Sequence, residues 1–480
     1  MKKNIKNHII IIGAGPSGLS AAKEFIDNEI SVSIIEKNNT VGGLARTIKY
    51  KNCSYDIGPH RFYTLNNEVN SFYNTFLDND GLNVKRLTRI FYNNKYFLYP
   101  LSPINTLFLI GFIDAVKILF SYFNSLITYK IFKKKINNFE DWIIANFGKK
   151  LFITFFKSYT EKVWGIDCKN INKSWAAQRI KNLSFFSVIF NPIIKKFTKN
   201  KIKSLVDQFR YPKFGAGFFY EKLSNYLQTK GCSISLNSKL TKIHHLNNEI
   251  YKIDIENQNK RSEQTANNYF FSNPFTEIIN LMDPPPPKKI IEASNRLRYR
   301  NHICVNLEIK GKLFPDNWIY VHDPKVKMAR VSNYKNFSKY MSTSNNINPI
   351  TVEYFAFKNE EIWKMKDHEL VAFAINELLI ANIINNTHLV SNSFIVRSAN
   401  AYPVIEKGYE KYVNIIKEYF SNFSNLHPIG RSGMFKYNNQ DHAIATGIYE
   451  ARNVINKDNQ VDIWSINSEG IYVESNVNLE

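Results

Sequence analysis

The sequence predicts an α/β protein with three parts: a parallel-sheet domain, a helical insertion, and a domain of mixed or antiparallel sheet. Three observations carry that prediction. A strand, glycine turn, helix and second strand occupy His8 to Glu36. A long apolar, helix-periodic stretch begins at Ile104. From Ser233 onward, short alternating runs bounded by turn residues read as strands.

In the first unit, the apolar run His8 to Ile12 reads as a buried strand and leads into Gly13-Ala14-Gly15-Pro16-Ser17-Gly18. Leu19 to Ile26 has helical spacing, and a second strand, Ser31 to Ile35, ends at Glu36. Gly13 permits the tight turn, Gly15 lets a pyrophosphate approach the backbone, and Gly18 lets helix and strand pack closely. The helix start, with Ser17, offers unpaired N–H groups and a positive dipole end to phosphates. Glu36, followed by Lys37, is placed to accept hydrogen bonds from an adenosine ribose. Strand, turn, helix, strand and acid in register predict a Rossmann-like dinucleotide-binding domain.

Gly42-Gly43-Leu44-Ala45-Arg46-Thr47 follows directly, and Tyr55-Asp56-Ile57-Gly58-Pro59-His60 comes soon after. This arrangement resembles the FAD-binding superfamily of amine oxidases, protoporphyrinogen oxidases, desaturases and UDP-galactopyranose mutases. The resemblance implies that the cofactor is FAD and that Gly43, Leu44 and Arg46 lie along its flavin side. An NAD dehydrogenase has no reason to carry them.

Ile90 to Pro100 reads as a hairpin turning on Asn93-Asn94. In Ile104 to Phe132, Asp114 and Lys117 interrupt what would otherwise be a membrane span. Asp114, Lys117, Ser121, Asn124 and Thr128 share one narrow helical stripe, and most of the rest is apolar. Such a helix is either a core helix with a solvated basic end, at Lys130 to Lys135, or lies against a membrane or partner. Asn138 to Phe156 continues helical, and a basic run (Lys195, Lys196, Lys199, Lys201, Lys203) reads as a solvated face. Ser233 to Ile255 reads as two strands joined at Asn247-Asn248, and Phe270 to Pro274 as a strand end. Pro284 to Pro287 is a stiff connector, a candidate crossing between domains. His302 to Ile309, Trp318 to His322, Met328 to Ser332 and Thr351 to Phe357 read as strands of a second sheet, and Val371 to Ile384 as a helix. Leu426 to Arg431 is a strand and turn before a helix from about Asp441. The expected domains are 1–85, 205–290 and 400–480 for FAD binding, 100–204 as a helical substrate-side domain, and 86–99 with 291–399 as a substrate-side sheet.

Composition bounds the partners. The 480 residues carry 63 Lys+Arg against 41 Asp+Glu, a net +22, which favours anionic ligands or an acidic membrane surface. The excess is spread along a chain rich in Lys, Asn and Ile, as biased coding would also give. No RNA-binding signature or zinc spacing accompanies it, so neither nucleic acid nor a metal is expected. Cys53, Cys168, Cys232 and Cys304 form no CxxC and read as reduced, partly buried thiols of a cytoplasmic protein, peripheral to the membrane if Ile104 to Lys135 touches it.

Tyr159-Thr160-Glu161-Lys162-Val163-Trp164-Gly165 resembles the YTEKxWG segment of UDP-galactopyranose mutases. By that resemblance Tyr159 stacks on uracil and Trp164 lines the sugar pocket. Arg179, in Ala177-Gln178-Arg179-Ile180, corresponds to the family's first diphosphate-binding arginine, and Arg330 to its second. Tyr402-Pro403-Val404 resembles its YYPV segment, with Ala401 in place of the first Tyr. Gly430-Arg431 through Tyr437 to Asp441 resembles its strand-to-helix closure, with Phe435 and Asn439 as departures. There the resemblance implies that Gly430, Arg431 and Asp441 attend FAD and that Tyr437 reaches the substrate diphosphate. His60 is expected beside the isoalloxazine, although Tyr63 replaces the family's second histidine. The implied activity is a sugar-nucleotide mutase that interconverts pyranose and furanose forms through N5 of reduced flavin, for surface polysaccharide synthesis. His60, Arg179 and Arg330 would be its catalytic residues. The alternative is a net FAD oxidoreductase acting on an amine or apolar substrate, its apolar helix and the aromatic-rich middle of the chain lining a greasy tunnel.

Overall fold

A computed structural model describes residues 8–99, 101, 103–175, 208–385, 390–458 and 460–467. Arg179 and the basic run from Lys195 to Lys203 lie outside the described residues.

The apolar strand His8–Ile12 occupies the centre of a five-stranded parallel sheet. Ser31–Ile35 and then Ser233–Ser235 flank it on one side, Asn268–Phe271 and then Leu426–Pro428 on the other. Strands from three separated stretches of chain thus form one sheet. Alternation along the central strand divides the core in two. Ile9 and Ile11 pack with Leu19, Phe25, Leu223 and Ile448, from the helices Pro16–Asp27, Gly217–Thr229 and Gln440–Ile455. Ile10 and Ile12 pack with Phe275, Ile279, Ile290 and Ile416 on the opposite face. The first and last of the described long helices touch closely: a Cβ at Gly447 would lie 2.1 Å from the Ser17 carbonyl oxygen.

Ser238–Leu246 and Glu249–Asn257 form the expected hairpin, with Asn247 and Asn248 at φ 50° and 59°. Ser233–Ser235, expected to belong to it, instead joins the parallel sheet. The prolines Pro284 to Pro287 lead into the helix Lys288–Asn295, which packs in the same core as Ile10, so the chain enters the next sheet only at Tyr299.

That sheet has seven strands, ordered Val390–Pro403, Tyr299–Lys310, Ile347–Ala356, Arg330–Asn333, Trp318–Val321, Thr88–Tyr92 and Lys95–Leu98. Only the pair Trp318–Val321 and Thr88–Tyr92 is parallel, so the sheet is mixed. Ile303, Val305, Leu307, Val352 and Tyr354 face the helix Asp367–Ile380. The alternate residues His302, Cys304 and Glu353 therefore point to the other face, where the cavities lie.

The helical segment departs from expectation. Gly111, at φ +91°, breaks the run into Pro103–Ile110 and Phe112–Leu126. Gly148, at φ +87°, does the same after Phe139–Phe147, and a Cβ there would sit 2.9 Å from the Tyr122 backbone. Phe112–Leu126 buries only Ala115, Ile118, Tyr122 and Ser125, so the core-helix alternative does not hold. No helix among the described residues is long and apolar enough to cross a membrane. All four cysteines are free and buried.

Candidate active site

A cavity of about 360 Å³ opens at the carboxyl ends of the first two strands. Gly13, Gly15, Ser17, Glu36, Lys37, Gly43, Leu44, Arg46, His60 and Arg431 all line it. Gly13 turns the chain at φ +103°, and a Cβ at Gly18 would fall 2.0 Å from the Gly13 carbonyl oxygen. Gly18 therefore packs and does not line the cavity. A Cβ at Gly15 would instead meet only Gly43 Cα, at 3.8 Å, so bare backbone faces bare backbone across the opening. The helix Pro16–Asp27 starts there without a side-chain cap, which leaves its first N–H groups and positive dipole end to a ligand. Glu36 is buried, accepting 2.8 Å from Ala14 N–H on Oε2 and 2.9 Å from Asn38 N–H on Oε1. These bonds fix the carboxylate and leave lone pairs for a ribose. Arg46 donates 2.6 Å to the Gly43 carbonyl, and Lys37 is exposed at the rim. Gly430 packs against Ser17. An elongated cleft with a glycine-lined waist, a helix start and a buried acid fits a dinucleotide.

A second cavity, of about 140 Å³, adjoins the first through His60, Arg431, Asn439 and Gln440, which line both. Arg61, Tyr63, Trp318, Tyr320, Arg330, Tyr402, Tyr437 and Asp441 also line it, with the backbone turn Ile57 to Pro59 and Phe62. His60 Nε2 donates to the Ile57 carbonyl at 3.0 Å. Burial, aided by Arg431 and Arg330, pushes its pKa down to about 4, so its imidazole is neutral near pH 7.

Arg330 opens the strand Arg330–Asn333, directly opposite Glu353. Its Nη2 and Nε donate to Glu353 Oε2 at 2.5 and 3.1 Å, and His302 Nε2 reaches the same oxygen at 2.8 Å. Glu353 is wholly buried. Burial opposes its ionisation, but Arg330 and His302 prevail and hold its carboxyl at about 2. Burial likewise opposes the Arg330 charge, and Glu353 together with Tyr402, Tyr159 and Tyr320 more than offsets it. The Arg330 guanidinium also lies 5.4 Å over the Phe355 ring, with Tyr402 Oη 3.5 Å from Nη2. Arg431 donates 2.8 Å to the Asn438 carbonyl and stands 5.0 Å over both the Tyr402 and Tyr437 rings. Arg330, Arg431, Tyr402 and Tyr437 thus converge on one small space, which Arg61, Tyr63 and Tyr320 also line.

The Tyr159–Gly165 segment forms the helix Ser158–Trp164. Lys162 ties it down by donating to the carbonyls of Val321, Asp323 and Met328 at 3.0, 2.6 and 3.2 Å, and burial pushes its pKa down to about 8. Tyr159 stacks on His322 with ring centroids 4.7 Å apart and meets Tyr320 edge-on, one ring behind the cavity wall. Trp164 is 2% exposed and packs against Trp175 and Tyr437, backing that wall. Sequence reasoning passed over Glu353, His302, Tyr320 and Trp175. The available signal was an acid inside an otherwise apolar strand, Thr351-Val352-Glu353-Tyr354-Phe355.

The family described as flavin containing amine oxidoreductase matches residues 16–455. The chain belongs to this family. It is a flavoenzyme, and the glycine waist, helix start and buried acid of the first cavity fit the dinucleotide FAD. Among curated relatives, dTDP-fucopyranose mutase of Escherichia coli is 30% identical over 182 residues, covering 35% of this chain and 44% of that protein. A probable UDP-galactopyranose mutase of Klebsiella pneumoniae is 28% identical over 171 residues, 34% of this chain and 42% of that one. The chain therefore matches less than half the length of either mutase. An L-amino acid oxidase of Crotalus durissus cumanensis is 30% identical over 110 residues, covering 20% of this chain and 22% of the oxidase. Among solved structures, reduced UDP-galactopyranose mutase superposes with a TM-score of 0.81 at 19% identity, covering 97% of each chain. At that identity the likeness is one of fold.

Proposed function

We propose that this flavoenzyme is a sugar-nucleotide mutase, interconverting pyranose and furanose forms of a nucleoside-diphosphate sugar while its flavin is reduced. The observation that carries the reading is the second cavity. Arg330, Arg431, Tyr402 and Tyr437 meet there, next to His60 at its junction with the FAD cradle. Paired guanidiniums and phenols suit a diphosphate, which takes forked, charge-assisted hydrogen bonds. Reduced FAD, when bound, supplies at N5 a nucleophile for the anomeric carbon.

The chain's residues do the rest. Glu353 engages Nε and Nη2 of Arg330 and holds its guanidinium charged and aimed. Nη1 is then the edge left to a phosphate oxygen. As the sugar–phosphate bond breaks, the departing diphosphate gains charge that Arg330 stabilises. Arg179 is proposed as the second diphosphate contact. The aromatic wall of Tyr320, Tyr402 and Tyr437 excludes water, and neutral His60, its one N–H held by the Ile57 carbonyl, keeps Nδ1 as an acceptor and exchanges no proton. The chemistry asks for no nucleophile from the protein. Polysaccharide synthesis is the role that such an activity would serve.

Hydride removal from an amine or apolar substrate is the second reading, favoured by the match to an L-amino acid oxidase. Its greasy tunnel was to be lined by the apolar helix, yet Phe112, Phe120 and Phe123 face solvent.

Calorimetric titration with UDP or dTDP tests the proposal. Arg330→Ala should weaken binding by about 2–4 kcal/mol, the cost of one charge-assisted contact at such a site. Arg330→Lys should restore only part, since a point charge cannot fork. FAD content should stay unchanged in both. Wild-type affinity in Arg330→Ala with a full flavin complement would remove the diphosphate from this cavity.

A further inference from the structure

The helix Phe112–Leu126 has three sectors when its residues are placed at about 100° intervals. Ala115, Ile118, Tyr122 and Ser125 form the buried one. Asp114, Lys117, Ser121 and Asn124 form a polar seam beside it. The third sector, an arc of about 120°, is apolar and open to solvent. There Phe112 is 83% exposed, Ile113 70%, Phe120 72% and Phe123 53%, with Leu119 and Ile127 alongside. A helix on an ordinary protein surface turns its polar side outward. This one is mainly apolar on both broad faces, and apart from buried Ser125, whose hydroxyl donates to the Ser121 carbonyl, and Tyr122 its polar residues lie on the seam between them. A patch of this kind marks an interaction site.

Charge identifies what covers it. The apolar run ends in Lys130, Lys133, Lys134 and Lys135, all exposed. Residues 104–135 hold five lysines and a single acid, Asp114, which Lys117 and Lys150 already engage at 3.9 and 3.3 Å. A second copy of the chain would bring lysines against lysines, with little acid to answer them. A bilayer carrying anionic headgroups meets both features at once: acyl chains for the phenylalanines and phosphates for the lysines.

We propose that the segment Phe112 to Lys135 docks this protein on an anionic bilayer surface. Phe112, Phe120, Phe123 and Ile127 enter the boundary between headgroups and acyl chains, and the lysine cluster meets the phosphates. The segment lies flat and does not cross. This inference is independent of the reaction proposed above.

Co-sedimentation of the FAD-loaded protein with phosphatidylcholine vesicles, with and without a minority of phosphatidylglycerol, tests it. The wild type should pellet with the mixed vesicles, bind neutral ones more weakly, and be released by salt. Phe120→Ser with Phe123→Ser should lower the partition at least about tenfold. Charge removal at Lys133, Lys134 and Lys135 by substitution with glutamine should lower it about fivefold per lysine. Both variants should keep their flavin spectrum and melting temperature, because every altered side chain is exposed. Failure of the wild type to pellet with mixed vesicles overturns the proposal. So does equal binding to neutral vesicles with no effect of the lysine changes. A dimer in analytical ultracentrifugation that Phe120→Ser with Phe123→Ser dissolves, without vesicle binding, assigns the face to a second copy instead.

Discussion

Glu353→Gln removes the charge of the fully buried member of an ion pair whose other member, Arg330, lines the cavity, and keeps the shape of the side chain. Glu353 Oε2 takes both Arg330 contacts and the His302 contact, so its loss leaves a largely buried guanidinium without its counter-charge. The folded carboxyl titrates at about 2 against an ordinary 4.5. At about 1.4 kcal/mol per unit, that difference is worth about 3 kcal/mol of stability. Breaking a buried pair on one side costs about 3–5 kcal/mol, in agreement. The pH dependence gives the sign. A depressed carboxyl stabilises fully above its unfolded value of 4.5, and that contribution fades as pH falls toward about 2. Urea unfolding of wild type and Glu353→Gln, followed by circular dichroism, should show a gap of about 3 kcal/mol near neutral pH that narrows as the solution is acidified below about pH 4.5. Equal stability at neutral pH, or a gap that stays constant on acidification, would refute the reasoning.

Gly15→Val should abolish FAD binding and yield colourless protein, because the branched side chain would project into the cleft toward Gly43; full flavin absorbance in the purified variant would count against the cradle. His60 should titrate at about 4 by NMR, well below the ordinary 6.5. Since the unfolded chain protonates first, His60 should make stability fall as pH drops from about 6.5 to about 4 and leave it unchanged above, with His60→Gln removing that slope.

What the sequence revealed follows from the range of the forces involved. The strand, turn and helix from His8 to Asp27 were readable because turn glycines and a buried apolar strand are local signals. The Asn93-Asn94 and Asn247-Asn248 turns were readable for the same reason. Gly111 and Gly148 do not show in the sequence as helix breaks because hydropathy runs straight through a glycine, while the backbone leaves helical φ there. The edge strand Val390–Pro403 was missed because it pairs on one side only and mixes Ser, Asn and Arg with its apolar residues. Periodicity also cannot tell a covered apolar face from a bare one, and Phe112–Leu126 has both. At the site, Arg330, Arg431, Tyr402 and Tyr437 stand out as resembling motif positions, and the fold brings them to one cavity. Glu353 and His302 declare themselves only once strand pairing brings together His302 and Glu353, 51 residues apart in sequence, and Glu353 and Arg330, 23 apart.

Redox-neutral isomerisation at reduced flavin is the central claim, and one incubation tests it most directly. Protein reduced with dithionite under anaerobic conditions is mixed with UDP-galactopyranose or dTDP-fucopyranose, and the products are separated by chromatography. The account predicts a second sugar nucleotide of unchanged mass, formed over many turnovers with no further reductant consumed and absent when the flavin is left oxidised. No isomer from the reduced protein, with oxygen uptake and hydrogen peroxide appearing in step with an oxidised amine when the protein is turned over in air, would contradict it.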